Sequence, residues 1–315
     1  MALTKVDKIW MNGKWVAWDD AKIHILSHVA HYASSVFEGI RAYRTRTGTA
    51  IFRLDDHLDR LMNSAKIYRM ELPFTREQIR TACLEVVAVN DLGDCYIRPL
   101  IYRGYENLGV NPFGSPVEIA VAAFPWDKYL GDDALTKGVA VKVSSWWRIA
   151  PNTLPAMAKA SANYMNSQLM KMEALVDGYA EAIALDSQGF VSEGSGQNVF
   201  LVIKGELLTP PLSSSVLAGI TRESVTTLAG DLGYGVREQV IPREMLYMAD
   251  EMFYAGTAVE VSPITSVDRI TVGSGTLGPV TKAIQGAFFG VIRGDQPDKR
   301  GWLTPVPQAA TTRAR

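Results

Sequence analysis

Cysteine and histidine are scarce, with 2 and 4 copies in 315 residues. Cys83 and Cys95 lack the Cys-x-x-Cys spacing of a zinc or redox site. Both read as small core residues, Cys83 in a helix and Cys95 in a strand, of a protein kept in a reducing compartment. His24, His28 and His31 have the only metal-like spacing, but no Cys, Asp or Glu is placed to complete a ligand set. They read as ordinary polar positions, and no metal is expected. Net charge is also nearly absent: 32 Lys plus Arg against 33 Asp plus Glu leaves −1. That removes the broad basic field which nucleic acid or an anionic membrane would require. No run approaches the roughly 18 apolar residues of a membrane span. Lys5, Asp7, Lys8 and Lys14 interrupt any signal-like segment near Met1, so a cytoplasmic protein is expected. Gly-x-Gly-x-x-Gly, Walker and Gly-x-Ser-x-Gly motifs are missing too.

What is present is an ordinary globular composition, 47% apolar and 21% charged, long enough for two domains at about 150 residues each. Strands at Ile9–Met11 and Trp15–Trp18 flank Asn12-Gly13, a dipeptide suited to a tight hairpin turn. A second hairpin joins Gly39–Arg44 to Thr49–Leu54 across Thr47-Gly48. Leu54, Leu58, Leu61, Met62, Ala65 and Tyr68 repeat at helical spacing, and Tyr96–Arg103 and Val117–Phe124 return to strand. The stretch from Pro125 to Gly138 breaks the pattern. The predicted organisation is therefore a small α/β domain over 1–125, a linker over 126–138 and a larger domain over 139–315. In the second domain a strand at Val139–Val143, a helix through Met165–Val176, strands at Ala182–Asp186, Phe190–Ser192 and Asn198–Ile203, and a helix through Val225–Leu232 are expected. There is no regular βαβ alternation, and the tail after Gly294 reads as low in complexity.

Three segments carry candidate chemistry. In Ala158-Lys159-Ala160-Ser161-Ala162-Asn163-Tyr164, a lysine sits among small residues before an amphipathic helix. Desolvation there favours the amine that attacks a carbonyl; alone, the feature also describes a solvated lysine at a helix start. In Ser192-Glu193-Gly194-Ser195-Gly196, a carboxylate at a strand end is flanked by glycines that admit a flat ring. A carboxylate so placed can keep a pyridine nitrogen protonated, or it can be an exposed turn residue. In Leu217-Ala218-Gly219-Ile220-Thr221-Arg222, Thr221 suits the N-cap of the following helix. The N–H groups of Ile220 and Thr221 could hold a phosphate at its positive end. Phe253-Tyr254-Ala255-Gly256-Thr257-Ala258 forms a second corner of the same kind.

Ser35-Val36-Phe37-Glu38-Gly39-Ile40-Arg41, Asp56-His57-Leu58-Asp59-Arg60-Leu61, Tyr96-Ile97-Arg98-Pro99-Leu100 and Gly256-Thr257-Ala258 join the segments above in an order and spacing that resembles the branched-chain amino-acid aminotransferases. These are fold type IV pyridoxal-phosphate enzymes, and the likeness runs from about Trp10 to Pro305. The resemblance implies an α+β fold of two mixed α/β domains with the cofactor between them. It makes Lys159 the residue that binds pyridoxal 5'-phosphate covalently and moves a proton between substrate Cα and cofactor C4′. It also implies that Glu193 meets the pyridine nitrogen, that Tyr164 meets the ring hydroxyl, and that Arg60, Ile220, Thr221 and Thr257 hold the phosphate. Tyr32, Phe37, Gly39, Tyr96, Tyr129 and Tyr164 would shape the side-chain pocket, Arg98 would receive the distal carboxylate of glutamate, and Gly256, Thr257 and Ala258 the α-carboxylate. Amino acids and 2-oxo acids are the implied partners, in at least a homodimer. R-amine and D-amino-acid aminotransferases and 4-amino-4-deoxychorismate lyase share the lysine, the glutamate and the phosphate cup. The strand at Tyr96–Leu100 and Phe37-Glu38-Gly39 separate the branched-chain pattern from them. A non-catalytic protein that kept the fold is disfavoured, because each expected cofactor contact is filled.

Overall fold

A computed structural model of the chain describes residues 3–126, 129–131 and 133–307. The chain divides into two compact units, one of Met1–Trp126, Ala158–Ala162 and Val291–Arg315, the other of Asp127–Met157 and Asn163–Gly290.

The first unit is built on an antiparallel sheet. β1 (Lys8–Met11) and β2 (Lys14–Ala17) form the first hairpin. Asn12 and Gly13 turn at φ +48° and +82°, the left-handed region that this dipeptide tolerates. Trp18, expected in the strand, instead begins a single 3-10 turn. α1 (His28–Tyr32) and β3 (Ser35–Phe37) follow, and then β4 (Ile40–Thr45) pairs with β5 (Gly48–Phe52) as the second hairpin. Leu54 belongs to α2 (Leu54–Ile67) and not to the hairpin. α3 (Arg76–Val89) opens with a full capping box, Thr75 Oγ accepting from Gln78 N–H while the Gln78 side chain accepts from Thr75 N–H. β6 (Cys95–Arg103) and β7 (Val117–Phe124) complete the centre of the sheet. The tail beyond Gly294 is more than a low-complexity segment: Leu303–Pro305 pairs antiparallel with β5, and Trp302 packs edge-on against Phe52 at 5.7 Å.

Leu54, Leu58, Leu61 and Ala65 lie on the buried side of α2, in one core with Ile40, Ile51, Val86 and Ile97. Each large aliphatic contributes about 1.5–3 kcal/mol by leaving water. A second row on α2, His57 and Ser64, is as deeply buried although polar. Ala158 and Ala160 belong to the same core. Cys83 and Cys95 are free, buried thiols, and burial pushes the Cys95 thiol up to about 12.

In the second unit, α4 (Ala134–Lys137) precedes β8 (Val139–Val143), and α5 (Asn163–Val176) precedes β9 (Glu181–Leu185). β10 (Val191–Gly194) pairs antiparallel with β9, and β11 (Asn198–Ile203) pairs antiparallel with β12 (Glu206–Thr209), so the strands expected over 182–203 are present but do not follow one another across the sheet. α6 (Ile220–Asp231), β13 (Val236–Glu238), α7 (Met245–Met248), β14 (Glu251–Gly256), β15 (Glu260–Val267), β16 (Ile270–Thr271) and α8 (Pro279–Ile292) follow. The sheet order is β10-β9-β8-β15-β14-β11-β12-β13. β8 runs parallel to β9 and β15, and β12 parallel to β13; the remaining pairs are antiparallel. Among the described residues no helix is long and apolar enough to cross a membrane.

Candidate active site

In the first unit the site begins at the β3–β4 turn. Phe37 ends β3, Glu38 and Gly39 form the turn, and α2 lays His57 and Arg60 against it. Glu38 is wholly buried. Arg60 donates from Nε to Oε1 at 2.6 Å and from Nη2 to Oε2 at 2.8 Å, a forked pairing that a guanidinium makes and an ammonium cannot. His57 Nδ1 stands 2.7 Å from Glu38 Oε2. Burial pushes the Glu38 carboxyl up, but the Arg60 charge and the donors of Arg60 and His57 together hold it well below the usual carboxylate range. Burial lowers the His57 pKa despite the opposing effect of Glu38. The ring is therefore neutral near pH 7, so Arg60 supplies the positive charge and His57 an Nδ1–H donor. Neither Glu38 nor His57 receives a role from the sequence, although both lie in motifs that carry the resemblance.

Lys159 is half-buried between the core alanines 158 and 160. It precedes α5 rather than starting it, and its backbone is tied to the first unit. Phe37 N–H donates to Lys159 C=O at 3.0 Å, Ala160 bridges to Val36, and Lys159 N–H donates to Ser64 Oγ at 3.0 Å. Lys159 Nζ lies 5.2 Å from the centre of the Phe37 ring. On the same ring, at 4.6 Å, sits the Arg98 guanidinium, which donates from Nη2 to Tyr96 Oη at 3.2 Å. Arg98 Nε is buried without a partner, and among the described residues Arg98 meets no carboxylate. Gly39 is required by this arrangement, since a Cβ there would fall 1.7 Å from Tyr96 Oη. Lys159, Phe37, Gly39, Tyr96, Arg98 and Arg60 are thus one cluster. Tyr32 lies apart from it in the contacts it makes, 42% exposed with its ring 4.6 Å from that of His28.

The other candidates lie in the second unit. Glu193 is 5% exposed at the end of β10. It pairs with Arg148 Nη2 at 2.8 Å and accepts from Asn198 Nδ2 at 3.0 Å and Leu217 N–H at 3.2 Å. This is a buried, hydrogen-bonded carboxylate and not an exposed turn residue. Arg148 is invisible in the sequence because nothing local ties it to Glu193. Asn198 Nδ2 also donates to Leu217 C=O at 3.1 Å, and a Cβ on Gly219 would come within 1.9 Å of Asn198 Oδ1. One amide therefore sets the spacing between the carboxylate and the start of α6. The N-cap of that helix is Gly219 and not Thr221, because the glycine alone permits this approach. Ile220 and Thr221 occupy the first turn, where N–H groups point along the axis away from the helix.

Gly256 closes β14 against Gln197, whose Cβ would lie 3.1 Å from an added methyl, and Thr257 and Ala258 form the turn beyond. Tyr129 and Ala258 line one small cavity of about 10 Å³, and Lys171 Nζ lies 5.2 Å from the centre of the Tyr129 ring. Tyr164 is half-buried in the first turn of α5. The histidines of the metal-like spacing have other partners: His28 contacts Ser34 Oγ and Gly109 O, and His31 contacts Ile25 O.

The donor set suits pyridoxal phosphate. A buried carboxylate held by Arg148 and Asn198 matches a protonated pyridine nitrogen, a helix start with Thr221 matches a phosphate, and a lysine rooted in the core matches the aldehyde carbon. Comparison with known proteins agrees. Residues 35–267 match the family described as Amino-transferase class IV. The chain is 52% identical over 309 residues to the branched-chain-amino-acid aminotransferase of Escherichia coli K12, covering 98% of this chain and 100% of that one. It is 52% identical over 307 residues to the enzyme of the same name from Salmonella typhimurium, with 97% and 99% covered. A crystal structure of the Escherichia coli branched-chain amino acid aminotransferase superposes with a TM-score of 0.95 over 96% of this chain and 100% of that one. The branched-chain amino acid aminotransferase of Thermoproteus uzoniensis with norvaline, 41% identical, does so at 0.91 over 96% and 100%.

Proposed function

This chain belongs to the class IV aminotransferases as a pyridoxal-phosphate-dependent branched-chain-amino-acid aminotransferase, and from that premise we propose which of its residues carry the reaction. The amino group of L-leucine, L-isoleucine or L-valine passes to 2-oxoglutarate in two alternating half-reactions, giving branched-chain 2-oxo acids and L-glutamate. Bound pyridoxal phosphate supplies the electron sink that makes the substrate Cα proton acidic. Lys159 Nζ holds the cofactor between turnovers, takes the proton from Cα and returns it at C4′. Glu193, paired with Arg148 and accepting from two N–H donors, retains the proton on the pyridine nitrogen. Tyr164 positions the ring hydroxyl, and Arg60, Ile220, Thr221 and Thr257 hold the phosphate.

Phe37 and Tyr96 offer apolar ring surface to a branched side chain, with Tyr32 and Tyr129 assigned to the same pocket by the resemblance. Gly256, Thr257 and Ala258 receive the α-carboxylate. Arg98, its guanidinium 4.6 Å from the Phe37 ring centre and 5.2 Å from that of Tyr96, with one buried N–H unused, receives the distal carboxylate of glutamate.

The single observation that carries this reading is Lys159, pinned by its backbone with Nζ 5.2 Å from the centre of the same Phe37 ring that Arg98 lies against. It is tested by half-reactions followed through the cofactor spectrum, with panels of L-amino acids, D-amino acids and R-amines. Fast bleaching by leucine, isoleucine and valine and recovery with 2-oxoglutarate is expected; preference for D-amino acids or R-amines would refute the substrate assignment. Arg98→Ala should slow the 2-oxoglutarate half-reaction roughly 10- to 100-fold, the worth of a charged hydrogen bond, while leaving that of leucine within a few-fold. Equal losses in the two single-turnover assays would remove Arg98 from that role. Glu193→Gln should still bind cofactor but turn over about 10²-fold more slowly, because an amide cannot hold the pyridine proton; an unchanged kcat would exclude it.

A further inference from the structure

We infer that Ser64 is a positioning residue for Lys159, joining the helix turn that carries Arg60 to the strand-like segment that carries the lysine. The inference rests on the cofactor roles proposed above for those two residues. Ser64 is 1% exposed on α2. Its hydroxyl donates to Arg60 C=O at 2.8 Å, one helical turn back, as serines in helices often do. The second bond is not local: Ser64 Oγ accepts from Lys159 N–H at 3.0 Å across a sequence separation of 95.

One hydroxyl thereby satisfies an N–H in the core and ties the lysine backbone to the backbone of Arg60. On the far side of the same residue, Lys159 C=O accepts from Phe37 N–H at 3.0 Å, and Phe37 is followed directly by Glu38, the forked partner of Arg60. The ties close a loop: Arg60 to Glu38 through the ion pair, Glu38 to Phe37 along the chain, Phe37 to Lys159, and Lys159 to Ser64 and back to Arg60. A lysine side chain has four rotatable bonds, so the place from which it starts sets which atoms Nζ can reach. Ser64 thus sets where Nζ stands relative to the guanidinium assigned to the phosphate. His57, Arg60 and Ser64, on one side of α2, form a polar row devoted to this geometry.

The test uses apo-protein titrated with pyridoxal phosphate, following the visible band of lysine-bound cofactor and the cofactor dissociation constant, with thermal melting of each apo chain as a control. Ser64→Ala should slow covalent attachment about tenfold or more and weaken binding by a similar factor. Ser64→Thr, which keeps a γ-hydroxyl able to bond the carbonyl one turn back, should stay within about twofold of the parent. Parent-like attachment and affinity in Ser64→Ala would overturn the inference. So would an equal defect in Ser64→Thr when its apo chain melts like the parent, since volume and not the hydroxyl would then matter. Should Ser64→Ala fail to fold, Ser64→Cys, which fills the space with a poor hydrogen-bond partner, decides by the same measurements. Lys159→Ala in parallel separates the two claims. If it still forms the visible band, the assignment of the lysine fails; if it does not and Ser64→Ala equals the parent, only the present inference fails.

Discussion

Lys159→Ala is expected to reduce kcat for leucine transamination by about 10⁴-fold, the upper range for loss of a positioned acid–base group, and to abolish the visible band of lysine-bound cofactor. The apo fold should survive. The lysine's ties to the first unit are made by its backbone N–H and C=O, which alanine retains, and Ala158 and Ala160 remain in the core. Only the side chain over Phe37 is removed. The measurement is single-turnover absorbance with melting of the apo chain alongside. A variant with a parent-like band, or a kcat within tenfold of the parent, would show that another group performs the proton transfer. A variant that melts far below the parent would assign the lysine side chain a structural part instead.

Glu38→Ala is expected to be the most destabilising of the substitutions considered, by about 3–5 kcal/mol, because it leaves the Arg60 guanidinium and the His57 N–H buried without their shared acceptor. That is a large part of a stability of about 5–15 kcal/mol. Glu38→Gln should cost less, since an amide oxygen still accepts from one of them. The defect has a pH signature with a definite sign. The folded-state pKa of Glu38 lies below its ordinary value of 4.5, so its contribution is complete above that value and is lost as the pH falls toward the folded-state pKa. Within that window the loss is about 1.4 kcal/mol per pH unit. The gap in stability between parent and Glu38→Ala should therefore be widest near pH 7 and narrow below pH 4.5. Urea unfolding at both pH values checks this, and a gap independent of pH would contradict an ionised Glu38.

The two variants separate kinds of information that are unequally visible in the sequence. The turn at Asn12-Gly13, the apolar row of α2 and the capping of α3 follow from signals within a few residues; the structure agrees with the turn and buries Leu54, Leu58, Leu61 and Ala65 of the row, while Met62 and Tyr68 are half-buried and the strand stops one residue before Trp18. Where structure and sequence differ by a residue or two, a tertiary approach is responsible. Gly219 takes the N-cap from Thr221 because Asn198 Oδ1 sits against it. The tail past Gly294 gains a strand because the free edge of β5 is there to pair with it.

Lys159 and Glu193 stand out by their small and glycine-rich neighbours, and the family likeness attaches roles to them. Their partners do not stand out. Arg148, Ser64, Glu38 and His57 sit in segments with no local oddity, and a buried ion pair leaves no trace in periodicity. The mixture of helices and strands and their order along the chain are matters of local propensity, and the roles proposed for the site residues come from the family likeness. How those residues are held is not local: it depends on which donors meet which acceptors once water is excluded. That pairing is settled by the sheet register and by how α2 packs against the β3–β4 turn, because a buried charge or donor left without a partner is costly and its partner lies far along the chain.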